Sequence, residues 1–527
     1  MKRRTFVKST AAVAAASALA PSILKGKKLF DVIPNEQLTS FEDDNIVIII
    51  EMFGGNDGLD TIIPVYNDEY YRLRPQLGMP ESVAVRYQNT DVYMHPALVN
   101  DIVNNGLMGL MDTGRLAIVE GIGYQPTNLS HFRSRDMWYS GYVTDDPNEK
   151  LLEGWLGRFI ARKLPNYPLQ IPEHPVAIQI AGTLSMLLKT KIGDMGIALT
   201  DPDSFYKLGK GLTPKEGLRT GDTNFDKEFN FVRVIAQQSE MYSQAIKNAY
   251  DSGKEKIKVN YSDGLSQKLK LISQLIAGGL KTKVFYVKLS NFDSHAQQAN
   301  ADFVTGQHPI LLHQVGLAIS EFLDDAMKQG WADRVVGFTM SEFGRRAYDN
   351  GSRGTDHGAA SMQFAFGNYV KGGYYGEKPN LNKLDEDGNI VNQFDFRRTY
   401  TDFLQTWLGA SDDDIKAVFK QAFLPIGILK ERVSSVESDL EYNNDALISV
   451  SPLPSTGNVN VSFTLKKAKQ AELVIFNQLG MVEKQLYSGY LEAGSHNYSC
   501  NINSSGTYIC SLVVNGRRYT QKLIITK

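Results

Sequence analysis

The run "NIVIIIEMF" (45–53) is almost unbroken in its apolar character. A strand with one face in water alternates, so a run like this must be covered on both faces. The same character returns in "RLAIVEGIG" (115–123), "HPVAIQI" (174–180), "TKVFYVKLS" (282–290) and "DRVVGFTM" (333–340). Between such runs lie helical patterns. In "HPILLHQVGLAISEFLDDAMKQG" (308–330) Leu and Ile recur at three- and four-residue spacing, and Gly330 closes the pattern. Strands alternating with helices predict an α/β fold: a mostly parallel sheet covered by helices on both faces, spanning 45–430.

The 527 residues exceed a single domain of roughly 100–200 residues, and the character changes late in the chain. "ERVSSVESDLEYNND" (431–445) is charged, polar and aperiodic, and reads as a linker. From 446 to 527, "NVNVSFTL", "AELVIFNQ", "GTYICSLVV" and "YTQKLIIT" are short strands separated by turns, which predicts a small all-β sandwich. The N-terminus, 1–26, has a basic start and a short Ala-rich run, too short for a spanning helix of ~20 residues, and reads as an export signal. Arg3-Arg4 followed by Thr5-Phe6-Val7-Lys8 resembles the twin-arginine pattern. No other segment is apolar enough to cross a membrane, so the mature protein is expected to lack a span. The net charge of −2 gives no reason to expect a nucleic-acid partner. Cysteine occurs only at Cys500 and Cys510, which excludes Cys-ligated zinc and a Cys nucleophile from the body. Those two could bridge neighbouring strands in an oxidising compartment or be unpaired core residues.

In open parallel sheets, ligands sit beyond the carboxyl ends of the strands. The residues just after the predicted strands are therefore informative. Asp57 follows the first, Asp293 and His295 follow "TKVFYVKLS", and Glu342 follows "DRVVGFTM". Asp356 and His357 come one loop later. These oxygen and nitrogen donors suit a divalent metal: zinc, manganese, magnesium or calcium. Each also has a plain reading. Asp57 stands in Gly-rich turn chemistry with Glu51 as a rival acid, Glu342 could pair with Arg345 or Arg346, and Asp356 could cap a helix. In "PTNLSHFRSRDMW" (126–138), Ser130 stands at a predicted helix start, as a candidate nucleophile or a simple N-cap. Arg133, Arg135, Arg345 and Arg346 are available to clamp an anion.

"FGGNDGLDTIIPV", "SHFRSRDMWYSG", "GWLGR", "NFDSHAQQ", "VVGFTMSEFGRRAYDNGSRGTDHGAA" and "RRTYTDFLQTWLG" together resemble the family called domain of unknown function 1501. That family is placed with alkaline phosphatase and sulfatase-like folds. The resemblance implies that Glu342 stands for the usual Asp of an Asp-His pair, Asp293 with His295 for the usual Asp-x-x-x-His, His357 for the last metal-ligating His, and Ser130 for the nucleophile. Three departures matter. Asp293-Ser294-His295 is two residues shorter than the usual element, and Phe343 stands where a second ligand would follow the acid. Ser130 is followed at the formylglycine positions by Phe132 and Ser134 in place of Pro and Arg. One metal, or a degraded site, fits these departures better than a two-zinc site.

The tail resembles a type A sorting domain of type IX secretion, through "GTYICSL" and the closing Lys, with Pro452-Leu453-Pro454 in place of Pro-Asn-Pro. The combined expectation is a protein exported through the periplasm by the twin-arginine and type IX machineries, secreted or associated with the outer surface. It is expected to be a metal-dependent hydrolase of phosphate or sulfate esters, its substrate an extracellular ester or polymer. The alternative is a non-catalytic surface binding or assembly protein on the same fold.

Overall fold

The computed structural model describes residues 44–167, 171–211, 223–431, 446–514 and 517–527. The export signal at 1–26 lies outside the described residues, as does the linker at 431–445 apart from Glu431.

All five predicted apolar runs form strands of one nine-stranded sheet. These are β1 (Ile46–Met52), β2 (Leu116–Gly123), β3 (Ala177–Ile180), β5 (Val284–Leu289) and β6 (Val335–Met340). Shorter strands complete it: β4 (Ile197–Ala198), β7 (Ser361–Gly367), β8 (Gly373–Tyr375) and β9 (Phe394–Asp395). The order is β8-β2-β7-β6-β1-β5-β3-β4, with β9 pairing β2. The sheet is mostly parallel, but β7 runs antiparallel to both β6 and β2.

Central β1 explains its own sequence. Ile46, Ile48 and Ile50 point into one core and Val47 and Ile49 into another. The first core is closed by helices that include α3 (Asn224–Gly253), α4 (Leu265–Ala277) and α5 (Gln307–Gln329). The second is closed by α1 (His131–Ser140) and α2 (Trp155–Lys163), among others. Period-2 alternation thus feeds two apolar faces, and no polar stripe is possible. A buried Ile adds about 1.5–3 kcal/mol over an exposed one, so this strand anchors both layers.

Register then positions the loops. Glu51 of β1 lies opposite Lys288 of β5 and Met340 of β6, in parallel ladders. The three strands therefore end together, and the segments at 53–57, 290–295 and 341–345 leave the same edge. Among the described residues no helix is long and apolar enough to cross a membrane.

The tail forms two antiparallel sheets. One is β10 (Ala446–Ser451), β11 (Asn458–Leu465) and β14 (Gly494–Asn501). The other is β12 (Lys469–Phe476), β13 (Val482–Leu491), β15 (Gly506–Val514) and β16 (Arg517–Ile525). Val459, Val461 and Phe463 of the first pack with Leu473, Cys510 and Leu512 of the second in one core, which makes a sandwich. Cys500 and Cys510 are both free and sit in different sheets, not on neighbouring strands. Burial pushes the Cys510 thiol up to about 12.

Candidate metal centre

Two glycines let the strand-end loops touch. Gly54 has φ +126°, and a Cβ there would lie 2.3 Å from the backbone nitrogen of Asp293. At Gly354 a Cβ would lie 2.3 Å from the carbonyl carbon of His295. Neither position has room for a side chain. The "GGND" and "GTDH" motifs are thus close approaches of backbone to backbone.

Three imidazoles and one carboxylate meet in that space. Nε2 of His295 lies 2.9 Å from Nε2 of His357 and 3.1 Å from Oδ1 of Asp293. His357 Nε2 is 3.2 Å from the same oxygen. His131, from the first turn of α1, brings its Nε2 to 3.3 Å from Asp293 Oδ2. That pair is close but poorly aligned, so His131 Nε2 is a buried nitrogen without a hydrogen-bond partner. Ligand atoms of His131, Asp293 and His357 lie within 4.8 Å of one another, close enough to hold one ion.

The opposite nitrogen of each ring is spent on an oxygen. His131 Nδ1 lies 2.8 Å from Glu342 Oε1, His295 Nδ1 2.9 Å from Asp356 Oδ1, and His357 Nδ1 2.8 Å from the Leu129 carbonyl. A carbonyl accepts only, and so does an ionised carboxylate, so Nδ1 donates in each case. In the neutral rings Nε2 then carries a lone pair. The Nε2 atoms of His295 and His357 and Oδ1 of Asp293 are therefore acceptors in mutual contact, and a cation between them removes the repulsion. Zinc–nitrogen bonds of about 2.0–2.1 Å in a tetrahedron put ligand atoms about 3.3 Å apart, near the 2.9–3.2 Å found among His295, His357 and Asp293. The orphaned His131 nitrogen and this all-acceptor donor set fit a divalent ion.

Electrostatics agrees with that use at Asp293 and His357 and opposes it at His131, where the raised ring favours its protonated form. Burial pushes Asp293 upward, but the Arg345 hydrogen bond (2.8 Å), the His357 contact and the Arg345 charge outweigh it and hold the carboxyl at about 2. Burial lowers His357, which favours the neutral ring. The hydrogen bond to Glu342 raises His131.

The remaining candidates from the sequence are placed as follows. Glu342 is buried behind His131, and its carboxylate also accepts the Gly54 amide at 2.9 and 3.2 Å. Asp356 backs His295, with Asn350 Nδ2 3.3 Å away. Both orient an imidazole, as acids behind metal ligands do. Asp57 is turned away from the cluster. Arg74 holds both its oxygens, at 2.7 and 2.9 Å, and Gln298 donates to one at 2.7 Å. Burial pushes Asp57 up, but the Arg74 pair wins and lowers it. Ser130 is the N-cap residue of α1 but makes no side-chain cap, and it is exposed. Arg133 donates to the carbonyls of Asp146 (2.6 Å) and Glu149 (2.8 Å). Arg345 is buried, with its nitrogens on Asp293 and on the carbonyls of Gly54, Gly55, Phe292 and Thr355. Arg346 turns to Tyr348. Arg135 lies over the Phe53 ring, 5.1 Å from its centre.

Two residues were not foreseen from the sequence. His131 is one, though it follows Ser130 directly. Gln298 is the other. It is fully buried, and its Oε1 accepts from Ser294 Oγ at 3.0 Å and Thr355 Oγ1 at 2.7 Å. Those hydroxyls lie inside Asp293-Ser294-His295 and beside Asp356-His357. Gln298 thus ties both loops to the Asp57–Arg74 pair, and "HAQQ" gave no signal of it.

Residues 224–410 match the family model described as Protein of unknown function (DUF1501), and residues 449–526 match that of the Secretion system C-terminal sorting domain. The chain thus carries a DUF1501 region followed by a type IX sorting domain, which marks it for secretion or attachment to the outer surface. The first match includes Asp293, His295, Glu342, Asp356 and His357, and begins after His131. No curated protein matches. Solved structures with similarity include the PsFucS1 sulfatase from Pseudoalteromonas sp., at 10% identity and TM-score 0.30, covering 97% of this chain and 88% of that one. An alkaline phosphatase superfamily protein from Vibrio parahaemolyticus has 8% identity and TM-score 0.29, covering 100% and 91%. A Bacteroides thetaiotaomicron structure, from work on the metabolism of glycosaminoglycans, has 9% identity and TM-score 0.33, covering 85% and 90%.

Proposed function

We propose that the protein is an exported, metal-dependent hydrolase of phosphate or sulfate esters. The observation that carries this reading is the convergence of three imidazole Nε2 atoms on the Asp293 carboxylate, with every Nδ1 engaged and His131 Nε2 left without a partner. His131, His295, His357 and Asp293 would hold the ion. Such an ion supplies Lewis-acid polarisation of the ester oxygen. Glu342, Asp356 and the Leu129 carbonyl keep the rings in the ligating tautomer. Arg345 fixes the Asp293 carboxylate and keeps it ionised. Ser130, exposed and directly before His131 in the chain, with its side chain free of any cap bond, is the nucleophile in this reading.

A non-catalytic surface protein is the second reading. It is favoured by the Asp293–Arg345 pair, because the guanidinium already neutralises the one carboxylate in the donor set. Twin-arginine export of the folded, metal-loaded body, passage through the periplasm, and the division at 1–26, 45–430, 431–445 and 446–527 belong to the same proposal.

The test is elemental analysis of the purified protein, with turnover of 4-nitrophenyl phosphate and 4-nitrophenyl sulfate after reloading with zinc, manganese, magnesium or calcium. One tightly held ion with turnover is expected. Ser130→Ala is expected to keep the ion and lower turnover by at least a hundredfold. An ion without turnover, or no ion under any loading, selects the surface protein and removes the hydrolase reading.

A further inference from the structure

Beside the imidazole cluster the chemistry changes. Phe53, directly after β1, lies 5.8 Å ring to ring from His131. The Arg135 guanidinium is 5.1 Å from the Phe53 ring centre and the Lys288 ammonium 4.9 Å. Arg135 is four residues on from His131 in α1, so the two share a face about 6 Å apart along the axis. Lys288 comes from β5, in register with Glu51. Phe132, 72% exposed, adds a second ring 5.8 Å from Arg135. Two cations and two rings, from three elements, thus adjoin one side of the cluster.

Neither cation makes a carboxylate pair at salt-bridge distance among the described residues. Arg135 Nε is buried with no hydrogen-bond partner. The neighbouring acids do not neutralise the pair. Asp136, next to Arg135 in sequence, feels its charge without touching it, and burial raises the Asp136 carboxyl. Glu51 faces Lys288, but its oxygens accept from Tyr139 and Tyr286. A ring face attracts a cation weakly and leaves its N–H donors unspent. An anion would take those donors.

The geometry points to a second anion site. Arg135 and Lys288 bind a further negatively charged group of the molecule whose ester lies at the imidazole cluster, with Phe53 and Phe132 flanking the part between. The substrate class is then an ester whose alcohol portion itself carries a carboxylate, sulfate or phosphate. This rests on the ester-hydrolase reading for the first group, while occupancy of the second site needs no cleavage.

Two phosphonates that cannot be hydrolysed separate the cases by calorimetry on the metal-loaded full chain. Phenylphosphonate offers one anionic group. 4-Carboxyphenylphosphonate adds a carboxylate across the ring. The second ligand is expected to bind about 5–30-fold more tightly at low salt, and the gap should narrow as salt is added. Arg135→Gln with Lys288→Gln should abolish the gap, and Lys288→Gln alone should reduce it should the double variant fail to fold. His357→Ala should weaken both ligands alike. Equal affinity of the two ligands in the wild type overturns the second site, as does a gap that survives the double variant. No phenylphosphonate binding would sink the ester reading itself, whereas phenylphosphonate binding without a gap sinks only the second site.

Discussion

An imidazole can ligate only through a nitrogen whose proton is elsewhere, so the partner behind each ring matters as much as the contact in front. Here Glu342, Asp356 and the Leu129 carbonyl each hold one Nδ1. Losing a ring and losing its partner should therefore differ in size. His131→Ala, His295→Ala and His357→Ala are each expected to lower metal affinity by more than a hundredfold, and Glu342→Gln by about 10–100-fold, the range for acids behind ligands. His313→Ala, whose Nδ1 faces the Ala97 carbonyl, should keep the metal. His308 is unsuitable as a control. It is buried against Asp60 (2.8 Å) and Asn56 (3.1 Å), in the network that also holds Asp57 and Gln298. Elemental analysis after dialysis reads all of these, and full metal content in His357→Ala would remove that ring from the site.

At the scale of elements, β1 carries a cost inside its apolar run. Glu51 is fully buried, and desolvation pushes its carboxyl up to about 7 despite hydrogen bonds from Tyr286 and Tyr139. A raised carboxyl binds its proton more tightly folded than unfolded. Its contribution is whole below the unfolded value of about 4.5 and is lost as pH rises toward about 7. At 1.36 kcal/mol per pH unit that is a loss of about 3 kcal/mol. Glu51→Gln should flatten this part of the curve, measured as midpoints of urea unfolding between pH 4.5 and 7.5, and an unchanged slope would refute the assignment. The same strand shows what the sequence made legible. Short apolar runs rich in Val and Ile and bounded by turn residues are too short for buried helices, so β1, β2, β3, β5 and β6 could be read directly, and with them the positions of Asp293, His295 and Glu342 at their ends. β7 follows the His357 loop and returns antiparallel, which no local signal announces. β13 and β14 are mostly polar and half-exposed, so they lack the apolar pattern that marked β11 and β15. His131 lies beyond a loop after β2, and its role depends on Glu342, 211 residues away. Asp57 looked free because Arg74, 17 residues on, could not be paired with it from spacing alone.

At the scale of the whole molecule, body and tail meet where Phe423 bridges Met481, whose side chain packs on the body core. Leu424 packs with Val474 and Phe476, and its amide donates to the Gly480 carbonyl at 3.1 Å. Arg518 pairs with Asp412 at 2.9 Å, and Lys416 pairs with Glu472. Arg398 reaches the Gln478 carbonyl at 3.4 Å, but its stronger bond is to the Leu424 carbonyl at 2.8 Å, within the body. The segment after Leu424 is also held from the body. Asp402 accepts the amides of Ile426, Gly427 and Ile428 at 2.7, 2.8 and 3.1 Å. Removing residues from Ala446 onward therefore takes away two partly buried ion pairs, each worth about 0–1 kcal/mol, the backbone bridge between Phe423 and Met481, the Leu424 and Arg398 hydrogen bonds to the tail, and the apolar contacts of Leu424 and Met481. The segment after Leu424 keeps its bonds to Asp402. The truncated body should fold, melt within about 5 °C of the full chain, and hold the same amount of metal, since every residue of the candidate centre lies before Thr401. What it should lose is passage out of the cell, because the matched sorting domain at 449–526 is gone. Fractionation, thermal melting and elemental analysis of the truncated chain read these together. A body that is insoluble or metal-free without its tail would make the sandwich a structural part of the fold, and a truncated body still found outside the cell would remove its role as the export address.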